Sequence, residues 1–552
     1  MSETKIAERS ESMSSSKTGK FKVLVADKLN KQGLEWIQGQ ADAELVNKPG
    51  LSEDELAAIA GDHDAMIVRS GVEVTARVLE NPGRLKVIAR AGVGVDNIDL
   101  DAATNHGILV VNSAEATTTT TAEHAFALLM ALARNIGPAH KTMVEGGWDR
   151  SKFQGQQLAG KTLGVVGFGR IGRTVAERAL AFEMNVVAYD PFINAETAMD
   201  GKVKMYPSFE EMIPHVDIVT FHVPMNDQTA GMLGRKTFAL AKPGLRVVNA
   251  ARGGIVDEEA LLEALDSGKC DAAALDVYTE EPLPSDHPLR SHPKVLLTPH
   301  LGASTAEAQQ AVSMDAAGAA LSFLRGEGVK GAVNAAGLRL DLGPVQQRYA
   351  DLAQRMAGLI SPLMTERVHE VTFEVVGDEL ESAASTLLRL ALVGLLKEHL
   401  TVPVNIVNVM HVAEQRGIKT RTVKRDEGKF GSQLALEINA GEDGHTPRIV
   451  GRVYDDLKPR IVEINGYHMD MVPAGQMALV QNKDKPGIIG MVGNEFGQAG
   501  VNIADMTISR RDDTALMVLK LDSPATEDLI NRLKNRDEIL RVANVKLPAE
   551  LE

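Results

Sequence analysis

Three glycines and one aspartate carry the clearest chemical signal in the chain. Gly167, Gly169 and Gly172 separate an apolar, strand-like run from a segment with helical periodicity, and Asp190 ends a second apolar run eighteen residues later. Such glycines permit a tight turn, the approach of a pyrophosphate and close helix–strand packing, and the helix N-terminus offers free N–H groups. A carboxylate at Asp190 accepts both ribose hydroxyls and repels a 2′-phosphate, so the pattern predicts NAD rather than NADP. The alternative is a strand–turn–helix of some other α/β domain.

Further chemistry is indicated by polar side chains that follow later apolar runs. Arg252 lies beside a glycine pair, His300 stands at a predicted strand end, and Glu280 and Glu281 follow another strand. A guanidinium binds a carboxylate with its planar fork, an imidazole transfers protons near neutral pH, and a carboxylate orients the imidazole. These are the groups that hydride transfer between a hydroxy acid and NAD requires. The alternatives are a surface arginine, a non-catalytic histidine and a solvated acidic turn, and spacing does not choose between Glu280 and Glu281.

The elements that must position these groups alternate between strand and helix. From Phe21 to Asn112 short apolar strands alternate with helices, which predicts a parallel sheet covered on both faces. The polythreonine run Thr117–Thr121 precedes the apolar helix 122–134 and is interpreted as its N-terminal cap region. The dinucleotide segment follows, then a helix over 305–324 and a linker over 326–331.

Two further segments complete the chain. Residues 332–475 mix strands, for example over 403–409 and 433–438, with helices near 345–360 and 380–400. Residues 476–552 have the order strand, helix, strand, strand, helix, strand, which is ferredoxin-like.

Bulk composition narrows the class of protein. The 552 residues carry 59 basic and 74 acidic side chains, a formal charge of −15 that argues against nucleic-acid and membrane-surface partners. The only cysteine, Cys270, allows no intrachain disulfide, and no apolar stretch is long enough to span a bilayer, so a cytoplasmic protein is expected. Residues 1–20 lack an apolar centre and are predicted to be a disordered tail.

The motifs stand in the order seen in a known enzyme family. The chain resembles the D-isomer-specific 2-hydroxyacid dehydrogenases at Gly167–Gly172 with Asp190, Asn249–Gly254, Leu275–Pro282 and Pro299–Thr305. Together with Arg90–Asn97, these motifs look like the long-form phosphoglycerate dehydrogenase branch of that family, and the resemblance covers residues 21–552.

The resemblance implies a fold and a domain order. The expected class is α/β, with a Rossmann dinucleotide domain at 121–302 inserted in a flavodoxin-like substrate domain at 21–120 that is completed by 303–331. An α+β intervening domain at 332–475 and a ferredoxin-like ACT regulatory domain at 476–552 would follow.

The resemblance also implies the residues of the site. Its catalytic set is Arg252, Glu281 and His300, with Glu281 matching the family position directly before Pro282. Its cofactor contacts are Gly167, Gly169, Arg170, Ile171, Gly172, Asp190, Val223, Ala250, Arg252, Asp276, His300 and Gly302. Its substrate contacts are Arg69, Ser70, Gly71, Asn112, Arg252 and His300. No metal ligands are implied.

The implied reaction is NAD-dependent oxidation of 3-phospho-D-glycerate to 3-phosphooxypyruvate, which begins L-serine synthesis. A reductase of hydroxypyruvate, glyoxylate or 2-oxoglutarate on the same scaffold is the alternative, and a non-catalytic NAD-sensing corepressor is a rival of another class. The family also implies a homodimer or homotetramer.

The C-terminal segments imply regulation. Asn482, Asp484 and Asn502 match the ligand loop and helix end of an ACT domain, whose effector in these enzymes is commonly L-serine. Asp484 stands where some serine-regulated members carry Asn. A basic loop over 416–425 in the intervening segment is interpreted either as an anion site or as a solvated loop.

Overall fold

The computed structural model describes residues 19–364, 367–397, 399–400, 403–426, 431–440 and 446–550. The predicted disordered tail, residues 1–20, lies outside these ranges except for its last two residues. Within the described ranges the strands form four sheets.

The first sheet is parallel throughout, with the flavodoxin-like strand order β2-β1-β3-β4-β5. Its apolar runs are buried on both faces by flanking helices, as expected for a parallel sheet. The strands are β1 (Phe21–Val25), β2 (Ala43–Asn47), β3 (Ala65–Val68), β4 (Val87–Arg90) and β5 (Leu109–Asn112). The helices are α1 (Lys31–Gln38), α2 (Glu53–Ala60), α3 (Ala76–Leu79) and α4 (Leu100–Asn105).

The second sheet has the order β13-β12-β11-β10-β6-β7-β9-β8, and all neighbours are parallel except β8 and β9. The chain reverses its direction of winding between β6 and β10, which is where ligands bind in open α/β sheets. Two helices lead into it, α5 (Thr118–Ala133) and α6 (Ile136–Val144). The strands are β6 (Thr162–Val166), β7 (Asn185–Tyr189), β8 (Thr197–Ala198), β9 (Val203–Tyr206), β10 (Ile218–Phe221), β11 (Leu245–Asn249), β12 (Cys270–Leu275) and β13 (Val295–Leu297). Its helices are α7 (Arg170–Ala181), α8 (Phe209–Met212), α9 (Arg235–Leu240) and α10 (Glu258–Asp266).

The chain then returns to the first sheet through α11 (Ala306–Arg325). Helix α11 packs so closely on α1 that a Cβ on Gly33 would lie 2.8 Å from the Cβ of Ser313. Residues 332–338, beyond the predicted linker, also pack on this sheet, where the Asn334 Oδ1 accepts the Val110 N–H at 2.8 Å.

The third and fourth sheets share a hydrophobic core. The third is mixed, with the order β15-β14-β16-β17-β18-β19, and the fourth is antiparallel, with the order β21-β22-β20-β23. Apolar side chains of the fourth sheet, such as Leu479 and Val545, pack into the cluster formed by the helices and strands of the third segment. The buried guanidinium of Arg355 donates to the carbonyls of Pro473, Pro548 and Ala549, each at 2.8 Å, and ties the two segments together.

The elements of these two segments follow in chain order. The helices are α12 (Pro344–Ile360), α13 (Asp378–Glu381), α14 (Ala384–Leu396), α15 (Val409–Gln415), α16 (Ile488–Gln498) and α17 (Glu527–Lys534). The strands are β14 (Val368–Val376), β15 (Lys419–Arg425), β16 (Gln433–Ala440), β17 (Arg448–Val453), β18 (Pro459–Ile464), β19 (Tyr467–Met471), β20 (Gln476–Lys483), β21 (Ile503–Arg511), β22 (Thr514–Leu521) and β23 (Ile539–Lys546).

The structure corrects three local predictions. The threonine run is only partly a cap: Thr117 is the N-cap residue of α5 but makes no side-chain cap bond, and Thr118–Thr121 form the first turn of the helix. Thr118 donates its hydroxyl to the Ala114 carbonyl at 3.3 Å, a bond that helical threonine makes readily. The Thr117 hydroxyl is buried with no partner among the described residues. The segment Pro403–Val409 is not a strand but a turn that leads into α15. The basic loop 416–425 is mostly an edge strand, β15, in which Arg425 pairs with Glu374 at 3.0 Å.

The predicted fold class is confirmed: a Rossmann sheet inserted in a flavodoxin-like unit, then an α+β segment and a ferredoxin-like sheet. Within the described residues, every helix is too short or too polar to span a bilayer.

Candidate active site

The histidine and one of the two candidate acids form a direct pair. The His300 Nδ1 lies 2.7 Å from the Glu281 Oε2, and the Glu281 Oε1 accepts the Tyr278 N–H at 3.0 Å. Burial alone would raise the pKa of Glu281, but the hydrogen bonds from His300 and Tyr278 outweigh it and hold the pKa below its usual value. The carboxylate is therefore charged at neutral pH, so Nδ1 donates the proton and Nε2 is left as the basic atom.

The loop that carries His300 is fixed by the fully buried carboxylate of Asp276. The Leu301 and Gly302 N–H groups donate to its two oxygens at 2.8 Å each, and the Thr298 hydroxyl donates to Oδ1 at 2.5 Å. Burial favours the neutral form of Asp276, but these bonds and the nearby His124 hold its pKa below the usual value. His300 itself has φ +53°, a left-handed conformation that is uncommon for residues other than glycine. Such conformations cluster at functional sites. Asp276 was predicted to contact the cofactor, and its observed partners are this loop and His124, whose Nε2 lies 3.0 Å from Oδ1.

Arg252 follows strand β11 and reaches across to the first sheet. Its Nε donates to the Asp96 Oδ2 at 3.0 Å and its Nη1 to the Ala251 carbonyl at 2.6 Å. Asn249, the last residue of β11, accepts the Ala251 N–H at 3.1 Å and donates to the Arg252 carbonyl at 2.8 Å, which fixes the turn. The guanidinium is thus held in place with its Nη2 unpaired among the described residues.

The predicted substrate loop, Arg69-Ser70-Gly71, follows strand β3. The Asp27 Oδ2 accepts the Arg69 N–H at 3.2 Å and the Gly71 N–H at 2.9 Å, so the loop is tied to the end of β1. Asn97 donates to the Arg69 carbonyl at 2.7 Å. The Arg69 Nε is buried and has no partner among the described residues, as expected of a donor that awaits a ligand.

Arg90 is a site residue that sequence reasoning missed. It ends strand β4, and its Nε is also buried without a partner in the described part of the chain. Burial and the neighbouring charges of Arg252 and Arg69 lower its pKa to about 10. The available signal was an arginine at the carboxyl end of a buried strand. Arg90 begins the motif Arg90–Asn97, but no role was assigned to it. Arg90 thus lies close enough to Arg69 and Arg252 for their charges to act on it, and such a cluster of positive charge attracts an anion.

Asn112, the remaining predicted substrate residue, ends strand β5. Its Nδ2 donates to the Val93 carbonyl at 2.6 Å, so this side chain shapes the loop after Arg90.

The glycine turn has the shape of a phosphate cradle. Gly167 has φ +87°, and a Cβ there would lie 2.4 Å from the His222 carbonyl oxygen, while a Cβ on Gly172 would lie 2.0 Å from the Gly167 oxygen. A Cβ on Gly169, in contrast, would meet no atom of the described residues within 4 Å. Gly169 is the N-cap of α7, so no side-chain cap bonds the N–H groups of the first turn, which a phosphate can therefore accept. These residues fit NAD.

The other predicted cofactor residues surround this cradle. Asp190 accepts the Phe168 N–H at 2.8 Å and the Phe192 N–H at 2.9 Å, so its carboxylate is held at the end of β7. Arg170 and Ile171 begin α7, and Arg170 pairs with Glu115 at 2.8 Å. Val223 follows β10, and its side chain borders Gly167. Ala250 is buried and follows β11.

The predicted regulatory residues do not all come together. Asn482 and Asp484 line a pocket of about 430 Å³ on the fourth sheet, together with Arg510, which lies 3.5 Å from Asp484. The Asn482 side chain is buried, and its Oδ1 has no partner among the described residues. Asn502 lies elsewhere and donates to Asp522 at 2.6 Å.

Comparison with known protein families gives matches to three parts of the chain. The sequence model of the D-isomer specific 2-hydroxyacid dehydrogenase NAD-binding domain matches residues 126–302. The D-3-phosphoglycerate dehydrogenase intervening domain matches residues 345–465, and the ACT domain matches residues 477–538.

Relatives match this chain over nearly its whole length. A D-3-phosphoglycerate dehydrogenase of Methanocaldococcus jannaschii is 39% identical over 95% of this chain and 100% of its own length. One of Bacillus subtilis is 38% identical over 96% of this chain and 100% of its own.

Among solved structures, an NAD-dependent formate dehydrogenase from Staphylococcus aureus in complex with NAD is similar with a TM-score of 0.51 and 31% identity. It covers 56% of this chain and 98% of its own. A glyoxylate reductase from Paecilomyes thermophila has a TM-score of 0.54 and 29% identity, over 57% of this chain and 99% of its own.

Proposed function

Because the chain belongs to the D-3-phosphoglycerate dehydrogenases, within the D-isomer-specific 2-hydroxyacid dehydrogenase family, we propose that it oxidises 3-phospho-D-glycerate to 3-phosphooxypyruvate with NAD. This reaction begins L-serine synthesis. The observation that carries the proposal is the His300–Glu281 pair, which lies at the carboxyl end of the dinucleotide sheet, as does Arg252.

His300 is the proposed acid/base. Glu281 holds its Nδ1–H, so Nε2 accepts the proton of the C2 hydroxyl as the hydroxyl becomes a carbonyl. NAD, when bound, supplies the hydride acceptor. The charge of Glu281 also stabilises the imidazolium that this proton transfer creates.

Arg252 is proposed to hold the other end of the reacting centre. Its Nη2 is directed by the two bonds that Nε and Nη1 already make, and a guanidinium binds a carboxylate and the C2 oxygen through charge-assisted hydrogen bonds. Such bonds, prepared before the substrate arrives, stabilise charge that develops on oxygen.

The phosphate is proposed to bind between Arg69 and Arg90. Both have a buried Nε that lacks a partner within the described ranges, and a buried donor left unpaired costs about 1–3 kcal/mol. A phosphate supplies three acceptor oxygens and satisfies both. Glyoxylate, hydroxypyruvate and 2-oxoglutarate carry no phosphate, so they offer these two donors no such acceptor.

The test is NADH formation from 3-phospho-D-glycerate, compared with the reverse reaction on hydroxypyruvate, glyoxylate and 2-oxoglutarate. Arg69→Ala is expected to lower kcat/KM about a hundredfold with the phosphorylated substrate only, since it removes a charge-assisted bond to phosphate. Arg77→Ala, which removes an exposed arginine paired with Asp54 on the same domain, is the matched control. An equal loss with all substrates, or none, would favour the reductase.

The effector of this protein is proposed to be an amino acid, with L-serine as the first candidate. The pocket that Asn482 and Asp484 line contains both an acidic and a basic side chain, Asp484 and Arg510, which complement an ammonium and a carboxylate. The unpaired oxygen of Asn482 adds a buried acceptor.

A homodimer or homotetramer is also proposed. Helix α6 has no buried residue, and it and the following turn expose Ile136, Met143, Val144 and Trp148, an apolar surface of the kind that marks protein interfaces. A second copy of the chain is the proposed partner at this surface.

The division of labour among the segments is proposed to follow the expected domains, 21–120 with 303–331, 121–302, 332–475 and 476–552. Each of the four sheets falls within one of these units.

A cytoplasmic location is proposed as well. The one cysteine, Cys270, is buried, and burial raises its pKa to about 12. A chain with one cysteine forms no intrachain disulfide and gains nothing from an oxidising compartment.

A further inference from the structure

Asp96 and Arg252 form an ion pair between the two units that face the crevice. Asp96 follows strand β4 of the first sheet, and Arg252 follows strand β11 of the second. The Arg252 Nε donates to the Asp96 Oδ2 at 3.0 Å, although the two residues are 156 positions apart in the chain. The bond therefore exists only when the two units are brought together as they are here.

This bond determines how the guanidinium is presented. Nε is occupied by Asp96 and Nη1 by the Ala251 carbonyl, so two sides of the planar group are fixed. The remaining edge carries Nη2, which has no partner in the described part of the chain. A guanidinium clamped at two positions loses little conformational entropy when it binds an anion through the third.

The loop beneath the guanidinium is shaped to admit it. A Cβ on Gly94 would lie 1.8 Å from the Arg252 Nη2, and a Cβ on Gly92 would lie 1.4 Å from the Arg90 Nη1. The two glycines of the Arg90–Asn97 motif therefore provide the room in which two guanidiniums lie side by side, and Asp96 on the same loop fixes one of them.

The surrounding charges give Asp96 a second effect. The charges of Arg69 and Arg252 disfavour the charge of Arg90, whereas those of Asp27 and Asp96 favour it. Asp27 is already bonded to the backbone N–H groups of Arg69 and Gly71. Asp96 is therefore the acid that bonds an arginine side chain of this cluster directly.

We propose that Asp96 is a positioning residue that clamps Arg252 across the crevice and aims its Nη2 at the substrate carboxylate, an inference that rests on the proposed function. Asp96 acts through Arg252 and does not contact the reacting atoms.

The variants Asp96→Ala and Asp96→Asn test this assignment in the full-length protein, with 3-phospho-D-glycerate and NAD as substrates. Asp96→Ala removes the acceptor and is expected to lower kcat/KM about ten- to a hundredfold, the range for loss of one charge-assisted hydrogen bond. Asp96→Asn keeps an oxygen that accepts from Nε and is expected to lose less. Asp62→Asn, an exposed aspartate in a turn of the same domain, is the matched control and should match the parent.

Two readouts separate positioning from a general structural role. The Kd for NAD and the unfolding midpoint should stay at parent values in Asp96→Ala. In an Arg252→Lys background, Asp96→Ala should change kcat/KM by less than about twofold, because the group through which Asp96 acts is already gone.

The assignment is overturned if Asp96→Ala keeps the parent kcat/KM, or if its effect is the same in the parent protein and in the Arg252→Lys background. A parent protein that forms no NADH from 3-phospho-D-glycerate refutes the proposed function instead, so the two failures are distinct.

Discussion

A methyl group added to Gly169 or to Gly172 should have opposite consequences, although the two glycines belong to one turn. A Cβ on Gly169 would meet no described atom within 4 Å, and its φ of −74° suits any residue. A Cβ on Gly172 would lie 2.0 Å from the Gly167 oxygen and 3.1 Å from the Val165 Cγ1, far inside contact distance. The first position is open for a ligand, whereas the second is closed by the protein.

The magnitudes follow from these distances. Overpacking at Gly172→Ala costs about 1–3 kcal/mol or more, of which the better helix propensity of alanine returns about 1 kcal/mol. Gly169→Ala changes only a helix N-cap and should leave the free energy of unfolding within about 1 kcal/mol of the parent. If the pyrophosphate of NAD lies against Gly169, the same methyl group pushes it outward at about 1–3 kcal/mol, which is a Kd weaker by about 5- to 150-fold.

The assay pairs an NADH fluorescence titration with thermal unfolding of the ligand-free protein. Gly169→Ala should bind NADH weakly and unfold with the parent, and Gly172→Ala should unfold at a lower temperature. Parent-like affinity in a folded Gly169→Ala protein would refute the placement of the pyrophosphate in this turn.

Two other perturbations test the protein away from the catalytic pair. Burial lowers the pKa of His222 to about 4 from its ordinary 6.5. As the pH falls, the unfolded chain therefore binds a proton at this residue before the folded chain does. The contribution of neutral His222 to stability should be complete above pH 6.5 and should be lost as the pH falls toward 4. His222→Asn should flatten the pH dependence of denaturant unfolding in that window, and an unchanged slope would contradict the assigned burial. Asp484→Ala should raise the concentration of L-serine needed to change the rate of NADH formation at least about tenfold, by loss of a charge-assisted bond, while the exposed Asp537→Ala should not. An equal serine response in Asp484→Ala and the parent would exclude this pocket as the effector site.

The sequence alone was sufficient to predict the position of residues that must stand at the end of a strand. The glycine turn, Asp190, Arg252 and His300 each follow a strand of the second sheet, and parallel strands bring their carboxyl ends to one edge. The order of apolar runs was likewise enough to predict the parallel first sheet and the ferredoxin-like fourth sheet, whereas the insertion of one unit in the other was predicted from the family resemblance.

What the sequence could not supply depended on contacts distant in the chain. Asp96 pairs with Arg252 from another unit, and the unpartnered Nε of Arg90 is visible only once its surroundings are known. Spacing left Glu280 and Glu281 equivalent, whereas the structure places Glu281 at 2.7 Å from His300.

Local polarity was misleading in two places. The threonine run was interpreted as a cap that precedes the helix, because threonine favours helix starts, yet the helix begins within the run and Thr117 at the N-cap makes no side-chain cap bond. The basic segment 416–425 was interpreted as a loop because of its charge, although β15 is an edge strand, where charged side chains are common.

The role of His300 as acid/base is tested most directly by NADH formation from 3-phospho-D-glycerate in the parent protein and in His300→Ala. The parent should form NADH, and the variant should lose at least about a hundredfold in kcat while its Kd for NAD stays at the parent value. A His300→Ala protein that turns over at close to the parent rate would contradict the proposed mechanism.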